Sequence, residues 1–198
     1  KEAEPYKAQN FRITDDHLGE GGAKTKYAFN IAAIQTLKQI EAEGRQARPD
    51  EQEILSRYVG WGGIPQAFDE ENTQWSEEYR QLKELLTEKE YDAARSSTLN
   101  AHYTSPTVIR AMYDAIEKMG FRMGNVLEPS CGVGNFFGML PDDMSGSRLY
   151  GVELDSITGR IARQLYPDAR ITISGFEKTQ RRDFFDLAIG CLLYTSDA

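Results

Sequence analysis

The chain has 198 residues, of which 40% are hydrophobic and 27% charged, and its 31 acidic against 23 basic residues give a formal net charge of −8. Such a composition supports one good hydrophobic core and argues against wholesale disorder, while the acidic balance makes the chain alone a poor partner for phosphate backbones, which demand clustered Lys and Arg. No apolar run approaches the roughly 20 residues of a membrane span, and the charged N-terminus lacks the apolar stretch of a signal peptide, so a soluble, cytoplasmic protein is expected.

Residues 1–25 are polar, with Gly19, Gly21 and Gly22 close together, and read as an extended leader or linker. Tyr27, Ile31, Ile34, Leu37 and Ile40 then recur at helical spacing, with Gly44 as the stop. Pro49 suits the first turn of a second short helix through Ile54, Leu55 and Tyr58, ending near Gly60. The run Gly60-Trp61-Gly62-Gly63-Ile64-Pro65 is too rich in glycine for a regular element. Trp61 there reads as a buried clamp on a tight turn, with a ligand contact as the alternative. Ser76 is a candidate cap for a helix carrying Tyr79, Leu82, Leu85 and Leu86, and Thr87 with Glu90 has capping-box spacing for the next. Residues 26–99 therefore form a helical lead-in module with no evident catalytic chemistry.

From residue 100 the pattern alternates helix and strand, as a parallel sheet covered by helices requires. Ser105 and Pro106 make a cap and first turn, Val108, Ile109, Met112, Ile116 and Met119 supply a buried stripe, and Gly120 ends it. Strands are expected at 125–128, 149–153, 170–174 and 185–189, with a helix between the second and third carrying Ile157, Ile161 and Leu165 and stopping before Pro167. The fold class is α/β: a truncated Rossmann-like sheet of about four parallel strands over 100–190, preceded by the mainly helical region.

The chemistry concentrates at the first strand end, Val126-Leu127-Glu128-Pro129-Ser130-Cys131-Gly132-Val133-Gly134-Asn135-Phe136. Gly132 and Gly134 let a ligand approach the main chain, and a following helix would offer free N–H groups to an anion. A plain strand-turn-helix with no ligand is the alternative. About twenty residues on, Glu153 closes the strand Tyr150-Gly151-Val152, where a carboxylate can accept from both hydroxyls of a ribose. Otherwise it is a solvated charge at a strand end. Gly132, Gly134 and Gly138 spell G-x-G-x-x-x-G, not the dinucleotide G-x-G-x-x-G, and Glu128 would repel a pyrophosphate. It could instead order the loop or contact a cationic amino group. Cys131 and Cys191 have neither metal-like nor disulfide-like spacing.

Leu127 to Phe136 resembles the cofactor loop of class I S-adenosylmethionine-dependent methyltransferases, specifically the adenine-N6 DNA methyltransferases whose cofactor motif precedes the catalytic one. Gly151-Val152-Glu153-Leu154-Asp155 is similar to that family's ribose strand, and Tyr103-Thr104-Ser105-Pro106 to its Tyr/Phe-Thr-Pro element. The resemblance implies S-adenosyl-L-methionine as cofactor, with Tyr103, Thr104, Glu128, Pro129, Cys131, Gly132, Gly134, Asn135, Phe136, Glu153 and Leu154 among its binding residues. The third strand should lead to an acidic adenine contact, for which Glu177 is the candidate; the alternative is Phe176 packing on the adenine ring. Tyr27 to Ile34 and Gly60 to Gly63 look like the lead-in of large helicase-methylase proteins of conjugative elements and phages. A helicase-like region in the same polypeptide would then supply the grip on DNA that this acidic stretch lacks.

The family's catalytic tetrapeptide, Asn-x-Pro-aromatic, should follow Asp183 to Gly190. In its place stands Cys191-Leu192-Leu193-Tyr194-Thr195-Ser196-Asp197-Ala198, an octapeptide that resembles one translation frame of a sequencing adapter. Residues 191–198 are therefore expected to be a non-native tail, and no catalytic residue is assigned. An RNA or protein-glutamine methyltransferase, or a non-catalytic scaffold with the same fold, are the alternatives.

Overall fold

Apolar residues at helical spacing build the first half of the chain, and short apolar strands organise the second. The computed structural model describes residues 7–99 and 103–191. Four helices come first: α1 (Ala23–Ala42), α2 (Pro49–Ser56), α3 (Ser76–Leu85) and α4 (Glu88–Ser97). They are followed by α5 (Pro106–Lys118), β1 (Asn125–Glu128), α6 (Asn135–Gly138), β2 (Arg148–Glu153), α7 (Ser156–Leu165), β3 (Arg170–Ile173) and β4 (Leu187–Ala188). Residues 192–198, which hold most of the expected tail, lie outside the described residues.

The strands pair in parallel in the order β3-β2-β1-β4, with Leu127 opposite both Tyr150 and Ala188. Successive strands run outward from β1 to β3, and the chain then returns to the other side of β1. That reversal makes the carboxyl end of β1 the switch point of the sheet, where ligands of open α/β folds bind. The α/β class with a Rossmann-like parallel sheet is thus as expected.

One face of the sheet shares a core with the helical region. Ile31, Ile34 and Leu37 of α1 belong to the same buried cluster as Ile109, Val126, Ile157 and Ile161. Polar contacts reinforce this join: the Gln52 side chain donates to the backbone oxygens of Gln9 (2.8 Å) and Gln164 (3.0 Å). Trp61 is buried in the shared core, edge-on to Tyr27 at 6.1 Å and to Phe68 at 5.2 Å between ring centroids. The opposite face presents Leu127, Tyr150 and Val152, covered by Phe184 and Phe185.

Residues 7–22 form no helix or strand, and contacts from Phe11, Arg12 and Ile13 fasten them to the rest of the molecule. Phe11 N–H donates to Leu165 O (2.8 Å), Ile13 N–H to Gly138 O (2.9 Å), and the Arg12 guanidinium to Leu140 O (2.5 Å) and Asp142 (2.8 Å). Other boundaries shift for local reasons. The first helix begins at Ala23, before the apolar stripe. Ser76 is the first residue of α3 and not its cap, because Asn72 opens a 3-10 turn by accepting from Gln74 N–H at 3.1 Å. The fourth strand is reduced to Leu187–Ala188 since Phe184 and Phe185 turn to cover Tyr150, at 5.2 and 5.4 Å. The capping box of Thr87 and Glu90 forms as its spacing requires.

Candidate functional site

β1 ends in the buried Glu128, and the chain then turns back against β2, where Cys131 N–H donates to Val152 O at 2.9 Å. Gly132 (φ 55°) and Gly134 (φ 88°) take the left-handed conformation that side chains disfavour. Gly134 is also hemmed in, since a Cβ there would lie 2.5 Å from the Tyr166 ring. The following helix α6 is a single turn, too short to build up the dipole of a long helix. Gly134 N–H donates to Cys131 O (2.8 Å) and Gly138 N–H to Gly134 O (3.1 Å). Pro141 follows closely, and the chain cannot continue helically through it.

The Glu153 carboxylate closes this loop. One oxygen accepts from Gly132 N–H and the other from Asp155 N–H, both at 2.8 Å. Burial pushes its pKa up, and the backbone hydrogen bonds from Asp155 and Gly132 oppose the shift. A carboxylate offers about four lone-pair sites, so capacity for further donors remains. Asp155 caps α7 by accepting from Thr158 N–H at 2.7 Å. Glu128 is fully enclosed and its Oε2 has no partner among the described residues. Burial, and then the nearby Glu153, push its pKa far above the ordinary carboxylate value.

Tyr103 lies flat against the loop, its ring carbon Cε1 3.1 Å from where a Gly132 Cβ would stand. Its hydroxyl is grouped with Tyr58, Glu153, Asp155 and Thr158; burial, followed by Tyr58, Glu153 and Asp155, pushes its pKa well up, and the Thr158 side chain opposes the shift. Tyr103, Thr104 and Asn135 border a cavity of about 300 Å³ whose other wall includes Asp16, Lys26 and Tyr58. Those last three carry no local motif. They reach the site only because the leader and helical region dock on the sheet.

Gly132, Gly134, Glu128 and Glu153 do not line this cavity, and the remaining sequence candidates also lie apart from it. Phe136 is turned into the core at 2% exposure, 6.3 Å from Tyr113, so it is a packing residue. Cys131 is buried beneath the loop against Gly151. Pro129 lies beside Gly190. Leu154 is 75% and Phe176 50% exposed, and Glu177 folds back over Gly175. None of these three faces the cavity, because the 3-10 turn Phe176–Lys178 points outward from the end of β3. Among the described residues there is no cluster of His, Cys, Asp and Glu suited to a metal ion, and no helix long and apolar enough to cross a membrane.

The strand order defines an open, parallel, Rossmann-like α/β sheet with a glycine turn at its switch point. No family model matches the chain. It is similar to the defense against restriction protein B of Escherichia phage P1, 25% identical over 175 residues, which are 87% of this chain and 6% of that protein. The chain thus spans only a small fraction of this relative's length. Among solved structures it is similar to a putative class I S-adenosylmethionine-dependent methyltransferase from Listeria monocytogenes. The identity is 12%, the TM-score 0.38, and the match covers 83% of this chain and 58% of that one.

Proposed function

We propose that the chain is the donor-binding portion of an S-adenosylmethionine-dependent methyltransferase that modifies the exocyclic amine of adenine in DNA. The observation that carries this reading is the left-handed Gly132–Gly134 turn latched to Glu153 at the switch point of the sheet. The residues suit the cofactor: the unpartnered Glu128 Oε2 is a buried acceptor awaiting a donor, and Tyr103 is the side chain that lies on Gly132 where the main chain would meet a ligand. When bound, S-adenosylmethionine supplies an electrophilic methyl group on a sulfonium centre. Glu153 accepts from the ribose hydroxyls, Thr104 and Asn135 hold the methionine end, and Tyr103 covers the loop.

Ile189 N–H donates to Leu127 O at 2.9 Å, so Gly190 leaves the sheet beside Pro129 and Glu128. A residue at 191 there faces the donor end of the site. In the enzymes resembled, an Asn at that point accepts from the target amine and an aromatic stacks on a flipped base; this chain has Cys191. The phage relative is by name a protein of defence against restriction, and methylating a recognition base defeats restriction chemically. That supports DNA over RNA or a protein glutamine as the acceptor. Contact with DNA then falls to a helicase-like or other region of a longer polypeptide.

A non-catalytic scaffold is the second reading, favoured by the fact that both Glu153 oxygens are already engaged by backbone. Calorimetry with S-adenosylmethionine separates the two. The enzyme reading expects measurable binding that Glu153→Ala weakens about ten-fold or more, as loss of charge-assisted hydrogen bonds dictates. Absence of binding leaves the scaffold. For the longer polypeptide, mass spectrometry of treated DNA should detect N6-methyladenine.

A further inference from the structure

The cavity beside the loop is built by two parts of the chain that are remote in sequence. The sheet side contributes Tyr103, Thr104 and Asn135, while the leader and α1 contribute Asp16, Glu20 and Lys26. The leader is held there by Ile13 N–H on Gly138 O, by Arg12 on Leu140 O and by the ion pair of Asp16 with Arg110. Two of these three fastenings attach to the turn that begins at Asn135. The outer wall is thus hydrogen-bonded to the segment that follows the glycine turn.

The charges in the outer wall are unequally engaged. Asp16 pairs with Arg110 and Glu20 with His17, both at the exposed edge. Lys26 is partly buried on the first turn of α1 and makes no ion pair among the described residues. An ammonium without an ion pair among the described residues, lining a half-open cavity of this size that Asp16 and Glu20 also line, matches a small zwitterion. Apolar Ile13, Val59 and Met139 line the space between and suit a short methylene chain.

We infer that this cavity receives the amino-acid end of the donor, with Lys26 meeting its α-carboxylate and the Asp16–Glu20 edge its α-ammonium. The inference rests on the donor reading above and adds that recognition of the charges at this end comes from outside the sheet. The leader and α1 are then part of the binding site, and Lys26 is its charge-selecting residue.

Two nucleosides test it by calorimetry on the 198-residue chain: S-adenosylhomocysteine, and 5′-methylthioadenosine, which lacks the amino-acid end. Lys26→Met is expected to weaken the first about ten-fold, the loss of one charge-assisted contact, and to leave the second unchanged within about two-fold. Lys26→Arg should keep most of the affinity. Lys24→Met is the control, since Lys24 pairs with Glu78 at 2.6 Å and does not line the cavity. Circular dichroism confirms that each variant is folded. If Lys26→Met weakens both nucleosides alike, or neither, while the unaltered chain binds them, the inference falls and the donor reading stands. If the unaltered chain binds neither nucleoside, both fall together.

Discussion

Glu128 and Glu153 end neighbouring strands, and burial raises the pKa of both. For Glu128 no hydrogen bond offsets the burial, so its protonated form is the one the fold favours. A raised folded-state pKa contributes stability that is fully present below the unfolded value of about 4.5 and is lost as pH rises through the folded value. Glu128→Gln should therefore stabilise the protein at pH 8 by about 1–3 kcal/mol, because a neutral amide needs no proton uptake on folding, and change little at pH 4. Thermal unfolding at the two pH values reads the difference. The same substitution should weaken binding of a cationic ligand, the exchange of stability for function typical of sites. Gly132, Gly134 and Glu153 were legible in the sequence because a left-handed turn and a carboxylate at a strand end are local requirements. Where Phe136 and Glu177 point was not legible, because whether a side chain faces the core, the cavity or solvent depends on what packs beside it.

Helices α1, α4 and α7 meet at Glu90. Its carboxylate accepts from Lys38 (2.9 Å), from Arg160 (2.8 Å), and from Thr87 N–H (3.0 Å) in the capping box, and Arg160 reaches on to Glu41 at 2.9 Å. Burial pushes the Glu90 pKa up, but the Thr87, Lys38 and Arg160 contacts outweigh it and bring it to about 2. A depressed pKa gives stability that is present above about 4.5 and lost as pH falls through about 2. Glu90→Gln should cost about 2 kcal/mol at pH 7, with the gap to the unaltered protein closing toward pH 2. Chemical denaturation across that range checks it. Apolar spacing was enough to find α1, α5 and α7, whose buried residues recur every three or four positions. It was not enough for α6, where the glycines that announce the loop also leave Gly138 pressed under Tyr166 and Ile13, and the helix stops after one turn.

At the scale of the whole molecule, the helical region and the sheet share one buried cluster from Tyr27 to Ile189. A lead-in of residues 26–99 separated from the sheet would expose Ile34, Leu37 and Ile40, which are wholly enclosed here. Expressed alone, residues 26–99 should fail to give dispersed amide resonances; a well-dispersed spectrum would show that this region has a core of its own. The sequence marked the change from helical to alternating pattern near residue 100 but not the docking across it. The contacts responsible, such as Gln52 to Gln164 and Arg160 to Glu41, join positions more than a hundred residues apart, and no local pattern encodes them.

The two cysteines occupy opposite extremes of accessibility. Cys131 is sealed beneath the glycine turn with its thiol pKa pushed well up by burial, while Cys191 is exposed. Thiol reagents attack the thiolate, so Cys131 reacts only when the turn lifts away from β2, and Cys191 in the same molecule calibrates the reagent. The chain thus carries its own clock for the opening of the loop. A ligand that settles on Gly132 and Gly134 should slow the first thiol and leave the second untouched, so occupancy can be followed as a rate without any label or enzymatic turnover.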